Sequence, residues 1–269
     1  MIKRKVTLED VRNSISARIK PPFFVRFVGR PAGNLLTPLF YNTGWTANGV
    51  TGLRACLSVL AAGLLLLGNY PATAAAGGLF YLTYILDFVD GNIARVAKST
   101  SYWGKYSDGL ADMIFLVLCP PAAGIAVWHA GGSPYFIVLG FAGAAACLTS
   151  QLARNRLSFF REWMTVQSGP VSDEAEAKLK GVRTVTGWVA AYYVNSSFLA
   201  PVLLFVPEYG AVLYVIAMIP AQILPEAVWL CCTLTEGRIM LNRSRRSIHE
   251  PTDEELQERR DADRPSNSI

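Results

Sequence analysis

Between Val50 and Leu234 the chain returns six times to an apolar stretch long enough to cross a bilayer, and two of those stretches carry paired acidic side chains. A helical span needs about 20 mostly apolar residues. The runs fall at 50–68, 72–96, 104–128, 135–159, 185–206 and 210–234. With 52% of residues hydrophobic and 17% charged, the chain lies outside the usual range of a soluble domain. The pattern predicts an all-α integral membrane fold of six transmembrane helices. No repeat of fixed period divides it, so one membrane domain is expected at 47–236. An N-terminal cytoplasmic or interfacial segment (1–46) precedes it and a charged tail (237–269) follows.

The net charge of +5 is unevenly spread. Lys and Arg gather before residue 31, in the connection between spans four and five (Arg161, Lys178, Lys180, Arg183) and after Arg238, whereas the links 129–134 and 207–209 have none. Basic loops stay on the cytoplasmic side, so both termini are expected there, in a bacterial inner membrane. The basic excess reads as topology, and no nucleic-acid partner is expected. Thr7-Leu8-Glu9-Asp10 has the form of a capping box, followed by Leu8, Val11, Ile15 and Ile19 on one helical face, which predicts an interfacial amphipathic helix ended by Pro21-Pro22. The polar stretch 165–181 reads as a loop. Five cysteines inside apolar runs suit neither a zinc site nor disulfides, and are expected as small core residues.

A carboxylate inside a span is costly and marks function by default. Four are read there. Asp87 and Asp90 lie three apart near the end of span two, and Asp108 and Asp112 four apart near the start of span three, so each pair shares a helix face. A short turn between the spans brings the pairs together. Four converging carboxylates call for cations, and hard oxygen donors suit Mg²⁺ or Mn²⁺. Two ions close together would neutralise a diphosphate and stabilise charge on attacking and leaving oxygens. Gly91 and Ala94 beside Asp90, and Gly104 one turn before Asp108, leave room for a ligand to approach the backbone.

The string Asp87-Phe-Val-Asp90-Gly91-Asn-Ile-Ala94-Arg95, eight further residues, then Gly104-Lys-Tyr-Ser-Asp108-Gly-Leu-Ala-Asp112 resembles the complete signature of the CDP-alcohol phosphatidyltransferase family. The resemblance implies that Asp87, Asp90, Asp108 and Asp112 bind two divalent ions, with Asp112 the catalytic base for the acceptor hydroxyl. It implies a nucleotide site of Asn48, Thr51, Asp87, Gly91, Ala94, Arg95, Gly104 and Asp108. Asn48-Gly-Val-Thr51 is similar to the family's Asn-x-x-Thr element, with Ala47 where Pro is usual. Arg54, Ser150 and Arg154 resemble acceptor-binding positions. A homodimer is what the family suggests. The implied reaction moves a phospho-alcohol group, preferably phosphatidyl from CDP-diacylglycerol, to an acceptor hydroxyl with release of CMP in phospholipid biosynthesis. The alternative is a CDP-choline, CDP-ethanolamine or CDP-inositol type of phosphotransferase acting on a lipid or inositol-phosphate acceptor. A transporter, the reading from another class, would carry acids at several depths or in two repeated halves.

Overall fold

The computed structural model describes residues 5–15, 21–168 and 173–241. Among them every regular element is helical. The elements are α1 (Leu8–Asn13), α2 (Arg30–Asn42), α3 (Ala47–Leu66), α4 (Tyr70–Val96), α5 (Tyr102–His129), α6 (Tyr135–Ser168), α7 (Asp173–Leu199), α8 (Gly210–Met218) and α9 (Leu224–Leu241). A π turn at Val25–Gly29 leads into α2, a 3₁₀ turn at Ala200–Phe205 prolongs α7, and a π turn at Ile219–Ile223 joins α8 to α9. Six apolar helical stretches are long enough to cross a membrane: Ala47–Leu66, Tyr70–Val96, Tyr102–His129, Tyr135–Arg161, Glu176–Phe205 and Gly210–Met240. The six expected spans are therefore present, and the bundle is that of a multi-pass integral membrane protein.

Local chemistry explains where the first three spans begin. Thr46, Asn69 and Ser101 each sit in extended backbone, and their side-chain oxygens accept from the amides of Gly49, Ala72 and Gly104. Each satisfies a donor that a helix start otherwise leaves open. Gly68 and Gly131, at φ +64° and +84°, end α3 and α5 in the left-handed conformation that glycine adopts without strain.

The central core joins α3, α4, α5 and α8 through small and branched residues such as Ala61, Leu65, Ala76, Ala123, Val127, Val215 and Met218. The tightest seam is between α5 and α6. A Cβ on Gly140 would stand 2.4 Å from the Pro120 carbonyl oxygen, and one on Gly124 would stand 2.3 Å from that of Phe136. Backbone meets backbone there, the usual use of glycine where apolar solvent supplies no drive for helices to associate. Large apolar side chains including Leu60, Leu67, Val138, Phe141, Leu152, Trp188 and Leu234 face outward, as a lipid-facing surface requires.

Three sequence readings change. The stretch 165–181 is largely helical: α6 runs to Ser168 and α7 starts at Asp173, with 169–172 outside the described residues. The run Asp173-Glu-Ala-Glu-Ala-Lys-Leu-Lys is made mostly of strong helix formers, and Leu179 is fully buried. The N-terminal helix has its capping box, with Thr7 accepting from the Asp10 amide and Asp10 accepting from that of Thr7. It spans only Leu8–Asn13; Ile19 lies outside the described residues, as do 242–269 of the tail. Val11 is fully buried because α1 packs on α2 and α4. Finally, Cys119 and Cys147 are buried, but Cys56 and Cys231 lie on the outside of the bundle.

Candidate active site

Both acidic pairs flank the turn between α4 and α5. Asp90 lies six residues in from Val96, the last residue of α4, and Asp108 six in from Tyr102, the first of α5. The two helices thus present their pairs at matching depth. The turn is closed by the Lys98 amide donating to the Arg95 carbonyl (3.1 Å) and the Ser99 amide to that of Ala94 (2.9 Å). Lys98 takes the left-handed conformation at φ +51°, a place where glycine is the default.

Side-chain oxygens of Asp87, Asp90 and Asp108, one from each, lie within 4.8 Å of one another. Into this cluster comes a cation from the neighbouring helix. Nη1 of Arg54 on α3 donates to Asp90 (2.9 Å) and Asp108 (2.6 Å), and Nη2 reaches Asp87 (2.8 Å) and Asp112. The Arg54 side chain is buried. Arg54, expected at the acceptor, thus stands at the centre of all four carboxylates. The threonine of the Asn-x-x-Thr element is there too, its hydroxyl 2.9 Å from Asp90 Oδ2 and 3.1 Å from the Ala47 carbonyl. Asn48 Oδ1 would lie 3.6 Å from a Cβ on Gly104, so the starts of α3 and α5 meet beside the cluster.

One guanidinium against four carboxylates leaves a large excess of negative charge. Hard oxygen donors at this separation fit a divalent cation of the Mg²⁺ or Mn²⁺ kind, which takes carboxylate ligands. Exposure is graded across the cluster: 5% for the Asp90 side chain, 34% for Asp87, 45% for Asp108 and 53% for Asp112.

Arg95 behaves differently from its neighbours in the signature. Its exposed side chain folds back along α4, with Nη1 3.3 Å from where a Cβ on Gly91 would be, and it borders a cavity of about 780 Å³ together with Lys5, Tyr41 and Lys98. The room left by Gly91 is therefore taken partly by the chain's own guanidinium.

Ser150 and Arg154 belong to a second polar cluster, between α6 and α9. Arg154 Nη1 donates to Ser150 Oγ (2.5 Å) and to Glu226 Oε2 (2.9 Å), and its guanidinium lies 3.9 Å from the centre of the Trp229 ring. Glu226 is 1% exposed. Two turns further along α6, Arg161 pairs with Glu236 of α9, which also meets Arg183 of α7 at 3.5 Å; Arg183 in turn pairs with Glu176 (2.6 Å). Glu226 and Glu236 both lie within membrane-length helix, so the reading of four carboxylates in the spans undercounts. The signal that finds them is the same cost argument, applied to the acid in Leu224-Pro225-Glu226.

A comparison with curated proteins gave no match. A comparison with known protein families matched residues 45–222 to CDP-alcohol phosphatidyltransferase, a stretch that begins one residue before the cap of α3 and takes in the α4–α5 signature. By that match, and by the site it encloses, the chain belongs to the CDP-alcohol phosphatidyltransferase family.

Proposed function

We propose that this protein transfers a phosphatidyl group from CDP-diacylglycerol to the hydroxyl of a polar acceptor and releases CMP, as a step of phospholipid synthesis on the cytoplasmic side of a bacterial inner membrane. Family membership carries the coarser statement, transfer of a phospho-alcohol from a CDP-alcohol by a membrane transferase. The observation that supports the site is the gathering of Asp87, Asp90, Asp108 and Asp112 around one buried guanidinium.

In this reading the four aspartates hold two Mg²⁺ or Mn²⁺ ions, whose chemistry is to neutralise the diphosphate and offset charge on the attacking and leaving oxygens. Asn48, Thr51, Gly91, Ala94, Arg95 and Gly104, with Asp87 and Asp108, hold the nucleotide part of the donor. Asp112, the most exposed carboxylate, accepts the proton of the acceptor hydroxyl. That oxygen forms a new bond to the phosphorus bearing the donor alcohol, the bond from that phosphorus to CMP breaks, and CMP leaves with the electron pair. Arg54 holds the carboxylates in place and balances part of their charge, a role that replaces acceptor contact. Ser150 and Arg154 keep a place in acceptor recognition only through α6, since among the described residues no hydrogen bond or ion pair links them to the aspartates. Residues 47–236 form the catalytic unit, a homodimer as the family suggests.

Transport is the reading that acids at several depths would favour. Glu226 and Glu236 do lie apart from the signature, but Arg154, Arg161 and Arg183 neutralise them. Paired charges of this kind hold helices together and leave no ion path of one sign. The test is CMP release by purified protein with Mg²⁺ from CDP-diacylglycerol, then from CDP-choline and CDP-ethanolamine, across polar and lipid acceptors. Release from CDP-diacylglycerol supports the proposal. Release only from the small CDP-alcohols moves the enzyme to the other substrate class, and none from any donor returns the question to transport.

A further inference from the structure

Helix α2, at Arg30–Asn42, lies outside the family match at 45–222, yet it is bonded to the helix that carries the signature. Gly33 lets its backbone close on α4: a Cβ there would stand 2.3 Å from Cβ of Phe88. One turn beyond Phe88 comes Asn92, which the signature leaves unspecified and which is 1% exposed. Its Nδ2 donates to Asn34 Oδ1 (2.9 Å) and to Thr37 Oγ1 (3.0 Å), and its Oδ1 accepts from Arg95 Nη2 (2.6 Å).

The direction of these bonds is determined by proton count. The fully buried Thr37 hydroxyl gives its single proton to the Gly33 carbonyl at 2.7 Å, so towards Asn92 it can only accept. Asn92 must therefore turn its NH₂ to α2 and its carbonyl oxygen to Arg95. A fixed acceptor then holds one edge of the guanidinium, over Gly91 of the signature. Preorganising a charged donor in this way lowers what is lost when a ligand is bound.

We infer that α2 is a working part of the donor site: Asn34 and Thr37, acting through Asn92, are positioning residues that aim Arg95 at a phosphate of the CDP-linked donor. This rests on the donor role of Arg95 proposed above. The experiment is steady-state CMP release by full-length Thr37→Val, Thr37→Ser, Arg95→Lys and the Thr37→Val/Arg95→Lys double variant, each corrected for folded protein.

Valine keeps the volume and removes the hydroxyl, so Thr37→Val is expected to raise the donor KM about tenfold with kcat nearly unchanged, and Thr37→Ser to restore it. In the double variant the effects should not add, because both changes act on one guanidinium. A wild-type donor KM in Thr37→Val, or full additivity in the double variant, overturns the inference while leaving Arg95 in its donor role. An unchanged donor KM in Arg95→Lys overturns both.

Discussion

Two groups of paired charge join helices of this bundle, and they differ in balance. Between α6, α7 and α9 the acids Glu176, Glu226 and Glu236 meet Arg154, Arg161 and Arg183, one cation for each anion. Between α3, α4 and α5 four aspartates share Arg54. Both place charge on helices of membrane-spanning length and both answer its cost with arginine. Among the described residues only the second leaves charge over. Balance separates a cluster whose charges satisfy one another from one whose excess carboxylates must be relieved by a bound cation or by protonation.

That contrast can be broken by substitution. The largest effect is expected from Asp112→Asn, which removes the proposed base without changing shape: CMP release should fall about 10²- to 10⁴-fold, measured at saturating Mg²⁺ on protein of wild-type thermal stability. Glu226→Gln should act on the other quantity. It leaves Arg154 without its buried partner and should cost about 3–5 kcal/mol of stability, read by denaturation in detergent, while the Mg²⁺ needed for half-maximal activity stays unchanged. A shift in that Mg²⁺ requirement would mean that the two clusters are coupled.

Smaller effects probe the frame between them. Gly140→Ala drives a Cβ against the Pro120 carbonyl, and parting α5 from α6 should cost about 1–3 kcal/mol in the same denaturation assay. Lys98→Gly relaxes the left-handed residue in the α4–α5 turn and should stabilise the protein by about 1 kcal/mol at most, seen as a small rise in melting temperature with activity retained.

How much of this was legible beforehand follows from the range of the interactions. The aspartate pairs were readable because three- and four-residue spacing on a helix is local, and the capping residues Thr46, Asn69 and Ser101 act within a single turn. Arg54 could be seen as a charge but not as the partner of residues 33 to 58 positions away, and Glu226 finds Arg154 across 72. Helix α2 falls inside the segment 1–46, where no helix is read after Pro22; Pro31 sits in its first turn, Gly33 is demanded by Phe88, and Pro38 is tolerated inside it. The loop read at 165–181 failed for the opposite reason, because polar residues on a helix outside the apolar core look the same as a loop when only hydropathy is weighed.

The most direct test of the central claim is Mg²⁺-dependent CMP release from CDP-diacylglycerol, comparing wild type with Asp108→Asn and Glu226→Gln in equal amounts of folded protein. The account predicts that Asp108→Asn loses most of the Mg²⁺-dependent release, whereas Glu226→Gln retains it with an unaltered Mg²⁺ requirement. Equal release from Asp108→Asn and wild type would contradict it, because the unbalanced carboxylates would then not be where the reaction takes place.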